Sequence, residues 1–156
     1  MPRHHETRIL PYTPQQMYDL VADVQSYPQF LPWTAAARIR SREKIGDTEL
    51  LLADLVISFK VFRETFGSRV MLHPAERRIE TSYIDGPFHH MDSVWLFRPV
   101  GRDGDVPRCE VDFTVDFEFR SRLLQGAATM FFNDAMTRVV RAFERRAAEL
   151  YAPSPL

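Results

Sequence analysis

The nitrogen and sulfur side chains that most often bind transition metals are five histidines and one cysteine in this sequence. Such side chains hold a metal ion when their spacing brings several of them onto one ion. His4-His5 and His89-His90 are adjacent pairs, His73 stands alone, and the spacings HxxxH, CxxC and HExxH do not occur. Adjacent residues of a strand point to opposite faces, so such a pair is a poor chelate. The sequence therefore predicts no metal site.

Carboxylates are a second group of residues that could do chemistry. They alternate with apolar residues along 109–119. Glu110, Asp112, Asp116 and Glu118 fall on one side of an extended chain, opposite the apolar side chains. A catalytic carboxylate lies in a cleft that perturbs its pKa, whereas charged alternate positions usually form the wet face of a sheet. The row predicts a solvated face rather than an acid–base site.

Cys109 is the only cysteine, which excludes an internal disulfide and favours a reducing compartment. It falls on the apolar side of its strand without an activating neighbour in sequence, which predicts a buried, inert thiol. The motifs GxSxG, GxGxxG and the P-loop do not occur either. We therefore expect no catalytic residues and no cofactor, and a protein that is not an enzyme.

Length and composition favour one globular domain over residues 1–156. The formal net charge of −1 argues against a DNA-binding protein, which usually carries a basic excess. Residues 1–9 contain no apolar signal core, and no apolar run approaches the ~20 residues of a membrane span. We expect a soluble, cytoplasmic protein whose membrane contact, if any, is transient and peripheral at the inner membrane.

The elements that must position these residues follow from hydrophobic periodicity. Alternation and turn residues predict strands over 4–10, 35–45, 48–59, 64–72, 77–84, 91–98 and 108–119. Helical spacing predicts one helix from Pro14 to Val24 and a long one from a Ser121 cap to about Leu150. Consecutive strands with short connections pair antiparallel, so the fold class is α+β with about seven strands.

Residues 27–33, Tyr-Pro-Gln-Phe-Leu-Pro-Trp, combine two prolines with four large apolar side chains. The prolines limit this segment to one helical turn plus a loop. A loop with this many apolar side chains either packs into one end of the core or forms the lid of a cavity for an apolar ligand. Gly86-Pro87-Phe88 is a second apolar loop, which flanks the same mouth in the second interpretation. The long helix also has two interpretations: it either fills the hollow of the sheet or covers a cavity.

Four ordered blocks of the sequence occur at consistent spacing. They are Asp23-Val24 with 27–28 and 30–33; Gly86-Pro87-Phe88 with Trp95 and Phe97; Val111, Phe113, 115–119, Ser121 and 123–124; and Ala142-Phe143-Glu144 with Arg146-Ala147. With these blocks the chain resembles the coenzyme Q-binding (COQ10) family, within the START-like, polyketide cyclase/dehydrase-like superfamily. The same family includes bacterial ribosome association toxins. The resemblance runs from about Thr7 to Tyr151. Thr34, Met91 and Ser93 stand where the family often has Cys, Leu and Gly, and these departures concern pocket detail rather than fold.

The resemblance implies a helix-grip fold, in which a curved antiparallel sheet wraps around the C-terminal helix and encloses a cavity. It also implies that the protein binds ubiquinone or a similar isoprenoid lipid, in support of respiration or quinone biosynthesis. On this expectation the sheet side of the cavity is lined by Phe59, Trp95, Phe97, Phe113 and Phe117. The helix side is lined by Phe131, Ala135 and Val139, with Trp33 and Phe88 at the entrance.

Two alternative functions rank below lipid binding. The toxin-named relatives suggest interference with ribosomal subunit association, for which Arg138, Arg141, Arg145 and Arg146 of the last helix would supply a basic patch. An enzyme of the cyclase/dehydrase type ranks third. It would need a buried pair of ionisable groups in the cavity, and the sequence singles out none.

Overall fold

The computed structural model describes residues 3–59, 62–86, 88–101 and 107–151, and at 59, 62, 124 and 127–133 it describes the backbone alone. The elements follow the predicted order of strand, helix, short helical segment, six strands and long helix. They are β1 (Arg3–Leu10), α1 (Pro14–Ala22), a 3₁₀ segment (Val24–Gln29), β2 (Thr34–Ile45), β3 (Thr48–Phe59), β4 (Phe62–His73), β5 (Arg78–Asp85), β6 (Phe88–Pro99), β7 (Cys109–Phe119) and α2 (Arg122–Leu150).

The seven strands form one antiparallel sheet in the order β1-β7-β6-β5-β4-β3-β2. Each strand from β2 to β7 pairs with its neighbours in sequence, as expected for short connections. Strand β1 pairs with β7 along its whole length, from Arg3 opposite Asp116 to Leu10 opposite Cys109. The α+β class and the helix-grip arrangement of a curved sheet with a long C-terminal helix are confirmed.

Strands β1 and β2 are the two edges of the sheet. The pairing of β2 with β3 is irregular at two places, between Thr34 and Ala36 and between Ile39 and Ser41. Most residues of β2 are exposed. Its charged side chains include Arg38, Arg40, Arg42, Glu43 and Lys44.

Local sequence chemistry sets the ends of these elements. Gly46 has φ 63° in the two-residue turn between β2 and β3, a conformation that glycine adopts without steric cost. Helix α1 begins at Pro14, directly after Thr13. The Thr13 hydroxyl accepts a hydrogen bond from the Gln16 backbone N–H (3.0 Å), and the Gln16 side chain accepts one from the Thr13 backbone N–H (2.9 Å). This reciprocal capping box stabilises the first turn.

The core lies between the apolar face of the sheet, α1 and the C-terminal half of α2. Alternate residues of β7 are buried there: Cys109, Val111, Phe113, Val115 and Phe117. Helix α2 contributes Val140, Phe143 and Ala147, whose spacing of three and four residues marks a single helix face. The strand that alternates most regularly in sequence is therefore the one that runs along the core.

The acidic residues of β7 lie on the opposite face and make polar contacts with neighbouring strands. Asp112 lies 2.8 Å from the His5 ring and 3.5 Å from the Arg98 guanidinium, and Asp116 lies 3.1 Å from the His90 ring. Among the described residues, no group of three or more His, Cys, Asp or Glu side chains is placed to hold a metal ion. Within the same residues, no helix is both long and apolar enough to cross a membrane.

Candidate ligand-binding cavity

A cavity of about 40 Å³ lies on the apolar face of the sheet. Its walls are Val24 and Tyr27 from the 3₁₀ segment, Ala53 and Leu55 from β3, Ser68 and Val70 from β4, Ile79 and Thr81 from β5, and Trp95 from β6. Ala53 lies directly opposite Ser68 in the pairing of β3 with β4, and both residues are buried. Two small side chains therefore meet where the neighbouring positions carry large ones, and this leaves the space.

The cavity is small in this conformation. A water molecule needs ~10–15 Å³ measured in this way, whereas pockets for drug-sized ligands enclose ~300–1,000 Å³. A volume of about 40 Å³ thus holds a few waters or the end of a ring, but not a whole quinone with its tail. A ligand of that size enters only when neighbouring side chains move.

Val24 and Tyr27 of the 3₁₀ segment form the part of the described cavity wall that does not come from the strands. The Tyr27 hydroxyl donates a hydrogen bond to the Val21 carbonyl oxygen. Burial, followed by the nearby charge of Asp23, raises the pKa of Tyr27 well above its ordinary value, so the phenol stays protonated. The Tyr27 ring also meets the Phe143 ring of α2 edge-on, with the ring centroids 5.4 Å apart. The side chain that closes the cavity is therefore held from two directions.

Helix α2 holds the end of this segment as well. The ring of Phe30, directly after it, meets the Phe143 ring at 5.3 Å. The Arg146 guanidinium lies 5.4 Å from the centre of the Phe30 ring and donates a hydrogen bond to the Gln29 side-chain oxygen at 2.7 Å. The chain then turns through Trp33, which has φ 60°. Opening the cavity on this side would break contacts to two residues of α2.

Trp95 is the predicted site residue that lies on the cavity wall. Its ring stacks on Phe113 at 4.1 Å, lies parallel to Phe97 at 6.1 Å, and meets Phe143 edge-on at 5.2 Å. Phe97 and Phe113 are buried. The structure thus brings together three of the predicted sheet residues beside the cavity, with Phe143 as the aromatic contact from the helix.

The structure places Phe88 and Phe117 in a second aromatic cluster, further along the same sheet face. Phe88 is buried and lies 5.7 Å from Phe117, 5.0 Å from Phe66 and 4.6 Å from Phe119 between ring centroids. Tyr83 completes this cluster at 5.3 Å from Phe88.

The other predicted site residues lie apart from the cavity wall or outside the described part of the structure. Trp33 and Ala135 are partly buried, and Val139 packs against the core. The side chains of Phe59 and Phe131 lie outside the described part. Contact of any of these ten predicted residues with a ligand stays a prediction.

Ser68 and Thr81 were not among the predicted site residues. A signal was present, because Phe66, Ser68, Val70 and Leu72 alternate along β4 and Ser68 interrupts an otherwise apolar row. In the described part of the chain, Ser68 and His4 are the only buried polar or charged residues. A small polar residue within a row of apolar residues is thus the sequence feature that indicates the cavity.

Cys109 is fully buried, and burial raises the pKa of its thiol to about 12. The thiol is therefore almost wholly protonated near neutral pH, and protonated thiols are poor nucleophiles. The prediction that Cys109 is buried is confirmed, and its inertness stays a prediction.

The arginines proposed for a basic patch separate into two groups. Arg138, Arg141 and Arg145 are exposed, and Arg138 lies 3.2 Å from Asp134 on the same helix. Arg146 points instead to the 3₁₀ segment and is largely covered. A basic surface on α2 would therefore consist of three arginines rather than four.

Residues 10–144 match the family described as polyketide cyclase / dehydrase and lipid transport. The chain belongs to this family. The START-like resemblance drawn from the sequence is thereby confirmed. A START superfamily protein from Mycobacterium smegmatis has a similar structure, with a TM-score of 0.78 over 96% of this chain and 99% of that one. The two are 18% identical, so this likeness shows the fold alone.

Two curated relatives in the family carry different names. A Rickettsia prowazekii protein named ribosome association toxin RatA is 37% identical over 147 residues, which cover 92% of this chain and 94% of the relative. A Xenopus laevis protein named coenzyme Q-binding protein COQ10 homolog B, mitochondrial, is 36% identical over 149 residues, or 95% of this chain. The match covers 59% of the length of the Xenopus protein.

The side chains of the cavity wall determine which class of ligand the cavity suits. None of its nine described wall residues is charged near neutral pH, and seven are aliphatic or aromatic. Ser68 and Thr81 supply hydroxyls, which can donate or accept hydrogen bonds but do not titrate. The Tyr27 phenol is protonated and already donates to a backbone carbonyl. The described wall therefore suits a neutral, mainly apolar ligand.

Proposed function

We propose that this protein binds ubiquinone or a similar isoprenoid quinone, as a carrier that supports respiratory electron transport or quinone biosynthesis. The observation that carries the proposal is the uncharged cavity beside Trp95, whose mainly apolar wall suits a neutral ring once the cavity has widened. The name of the Xenopus relative supports the choice of coenzyme Q over other apolar ligands.

Ligand entry on this proposal requires movement of the 3₁₀ segment, since the cavity is too small for a whole quinone. Val24 and Tyr27 would withdraw from the sheet, and the ring would take their place against Trp95. The tail would follow through the same gap. Transient contact with a membrane surface would supply the quinone, because an isoprenoid tail partitions strongly into lipid.

We infer that the protein does not act on the ligand chemically. General acid–base catalysis needs a titratable group within hydrogen-bond reach of the reacting atom and with a pKa near the working pH. Of the described wall residues, only Tyr27 titrates, and burial raises its pKa, which moves it further from a working pH near neutral. A binding role requires no such group.

Tryptophan fluorescence tests ligand binding, because the chain has two tryptophans, one on the cavity wall and one apart from it. Short-tailed ubiquinone is titrated into the wild type, into Trp33→Phe, which retains Trp95, and into Trp95→Phe, which retains Trp33. We expect saturable quenching in the wild type and in Trp33→Phe, and a much weaker response in Trp95→Phe. Absence of saturable quenching in the wild type, with no quinone in solvent extracts of the purified protein, would refute the proposal.

Ribosome association is the second candidate. The name of the Rickettsia relative motivates it, and Arg138, Arg141 and Arg145 give it a surface, since three exposed cations at helical spacing can contact phosphates. Overexpression should then shift sucrose-gradient profiles from 70S ribosomes to free subunits. The double variant Arg141→Glu/Arg145→Glu should lose the shift, while Trp95→Phe should retain it. An unchanged profile on wild-type overexpression would remove this candidate.

A further inference from the structure

The polar part of the cavity wall is built by two strands. Ser68 of β4 lies opposite Tyr83 of β5, and Val70 lies opposite Thr81, so Ser68 and Thr81 occupy diagonal positions on one sheet face. Diagonal neighbours of an antiparallel pair lie about 7–8 Å apart, close enough for both side chains to reach one small group. Both residues line the cavity, and Ser68 is only 3% exposed.

We propose that Ser68 and Thr81 form the headgroup subsite, in which their two hydroxyls donate hydrogen bonds to one carbonyl oxygen of a neutral ligand. This inference rests on the proposed function and adds the orientation of the ligand: the ring lies against the sheet at β4 and β5, and the tail extends toward the 3₁₀ segment. A carbonyl oxygen has two lone pairs, and each hydroxyl has one hydrogen to donate. The pair therefore matches a quinone oxygen.

The surroundings of this pair select against charged headgroups. None of the described wall residues is a lysine or an arginine, so a carboxylate or phosphate would lie in an apolar cavity without a cationic partner. A pure hydrocarbon would leave the two hydroxyls without an acceptor from the ligand. The subsite thus favours a neutral ligand with a carbonyl-bearing ring, and the isoprenoid tail comes from the proposed function.

The test compares three ligands across matched variants. Dissociation constants are measured by titration calorimetry for short-tailed ubiquinone, squalene and oleate. The variants are Ser68→Ala, Thr81→Val, their combination, and Thr81→Ser, which keeps a hydroxyl. Ser82→Ala is the control, because Ser82 follows Thr81 on β5 and points to the opposite face. Circular dichroism and thermal melts confirm that each variant is folded.

We expect each deletion of a hydroxyl to weaken ubiquinone binding about two- to tenfold, and the double variant about five- to hundredfold. Squalene should bind the hydroxyl-deleted variants at least as tightly as the wild type, because no hydroxyl is then left without an acceptor. Thr81→Ser and Ser82→Ala should bind ubiquinone like the wild type. Unchanged ubiquinone affinity in the folded double variant would overturn the subsite and leave the proposed function intact. Oleate binding as tight as ubiquinone binding would overturn the selection for a neutral headgroup. A wild type that binds none of the three would overturn both the subsite and the proposed function.

Discussion

Phe143 of α2 is the side chain whose removal should most clearly test the packing beside the cavity. It is 3% exposed, and its ring meets Trp95, Tyr27 and Phe30 at 5.2, 5.4 and 5.3 Å. Replacing a buried Phe by Ala lowers the free energy of unfolding by ~3–5 kcal/mol, and less where neighbours can close the gap. Two of the three partners lie in or beside the short 3₁₀ segment, which can close part of the gap more easily than the hydrogen-bonded sheet. We therefore expect a loss near the lower limit, about 3 kcal/mol, for Phe143→Ala.

Urea unfolding, followed by far-ultraviolet circular dichroism, measures this loss. For a chain of this length about 3 kcal/mol lowers the melting temperature by about 6–12 °C. Leu150→Ala is the control on the same helix, because Leu150 is 51% exposed and surface substitutions change stability by less than ~0.5 kcal/mol. A loss below ~1 kcal/mol for Phe143→Ala, with an unchanged dependence on urea, would show that α2 does not pack on the segment as described.

Three further predictions concern capping, ionisation and the contact of α2 with the 3₁₀ segment. Thr13→Ala removes the N-cap of α1 and should lower the free energy of unfolding by ~1 kcal/mol in urea titrations, and no loss would contradict the role of the cap. Burial raises the pKa of Cys109 from 9.0 and of Tyr18 from 10.0 to about 12 each, so above pH 9 the folded state binds more protons than the unfolded state. Stability should therefore fall between about pH 9 and pH 12, less steeply in Cys109→Ala, and a flat profile would contradict this. Arg146→Met should speed amide hydrogen exchange in residues 24–31 while leaving the sheet unchanged, whereas uniform acceleration would indicate global destabilisation instead.

The order of elements was predictable because each depends on local chemistry. The regular alternation of 109–119 specified β7 with its buried and acidic faces, and Gly46-Asp47 specified the turn between β2 and β3. Thr13 and Pro14 likewise specified the start of α1. Strand ends were less predictable, since β6 begins at Phe88 rather than near Met91. Pairing with β7 extends that strand, and a single segment of sequence does not carry this information.

The cavity was harder to predict, because it depends on which residues face each other across strands. Ala53 and Ser68 create the space only because the register of β3 and β4 places them opposite each other. Large aromatic residues were predicted to line the cavity, yet Phe97 and Phe113 are part of the packed core and Phe88 is buried in a separate aromatic cluster. Small residues at matched positions shape a cavity, and register is a property of the folded sheet rather than of either strand alone.

The exposed edge strand β2 also has a consequence for the behaviour of the protein in concentrated solution. A long unpaired edge offers a row of backbone donors and acceptors to any other extended chain, and such edges promote fibrils and insoluble assemblies. Irregular pairing at two places and a dense row of charges make β2 a poor template for docking of a second molecule. On the proposed movement of the 3₁₀ segment, the apolar surface beneath it would be exposed beside a sheet edge that does not recruit further copies of the chain.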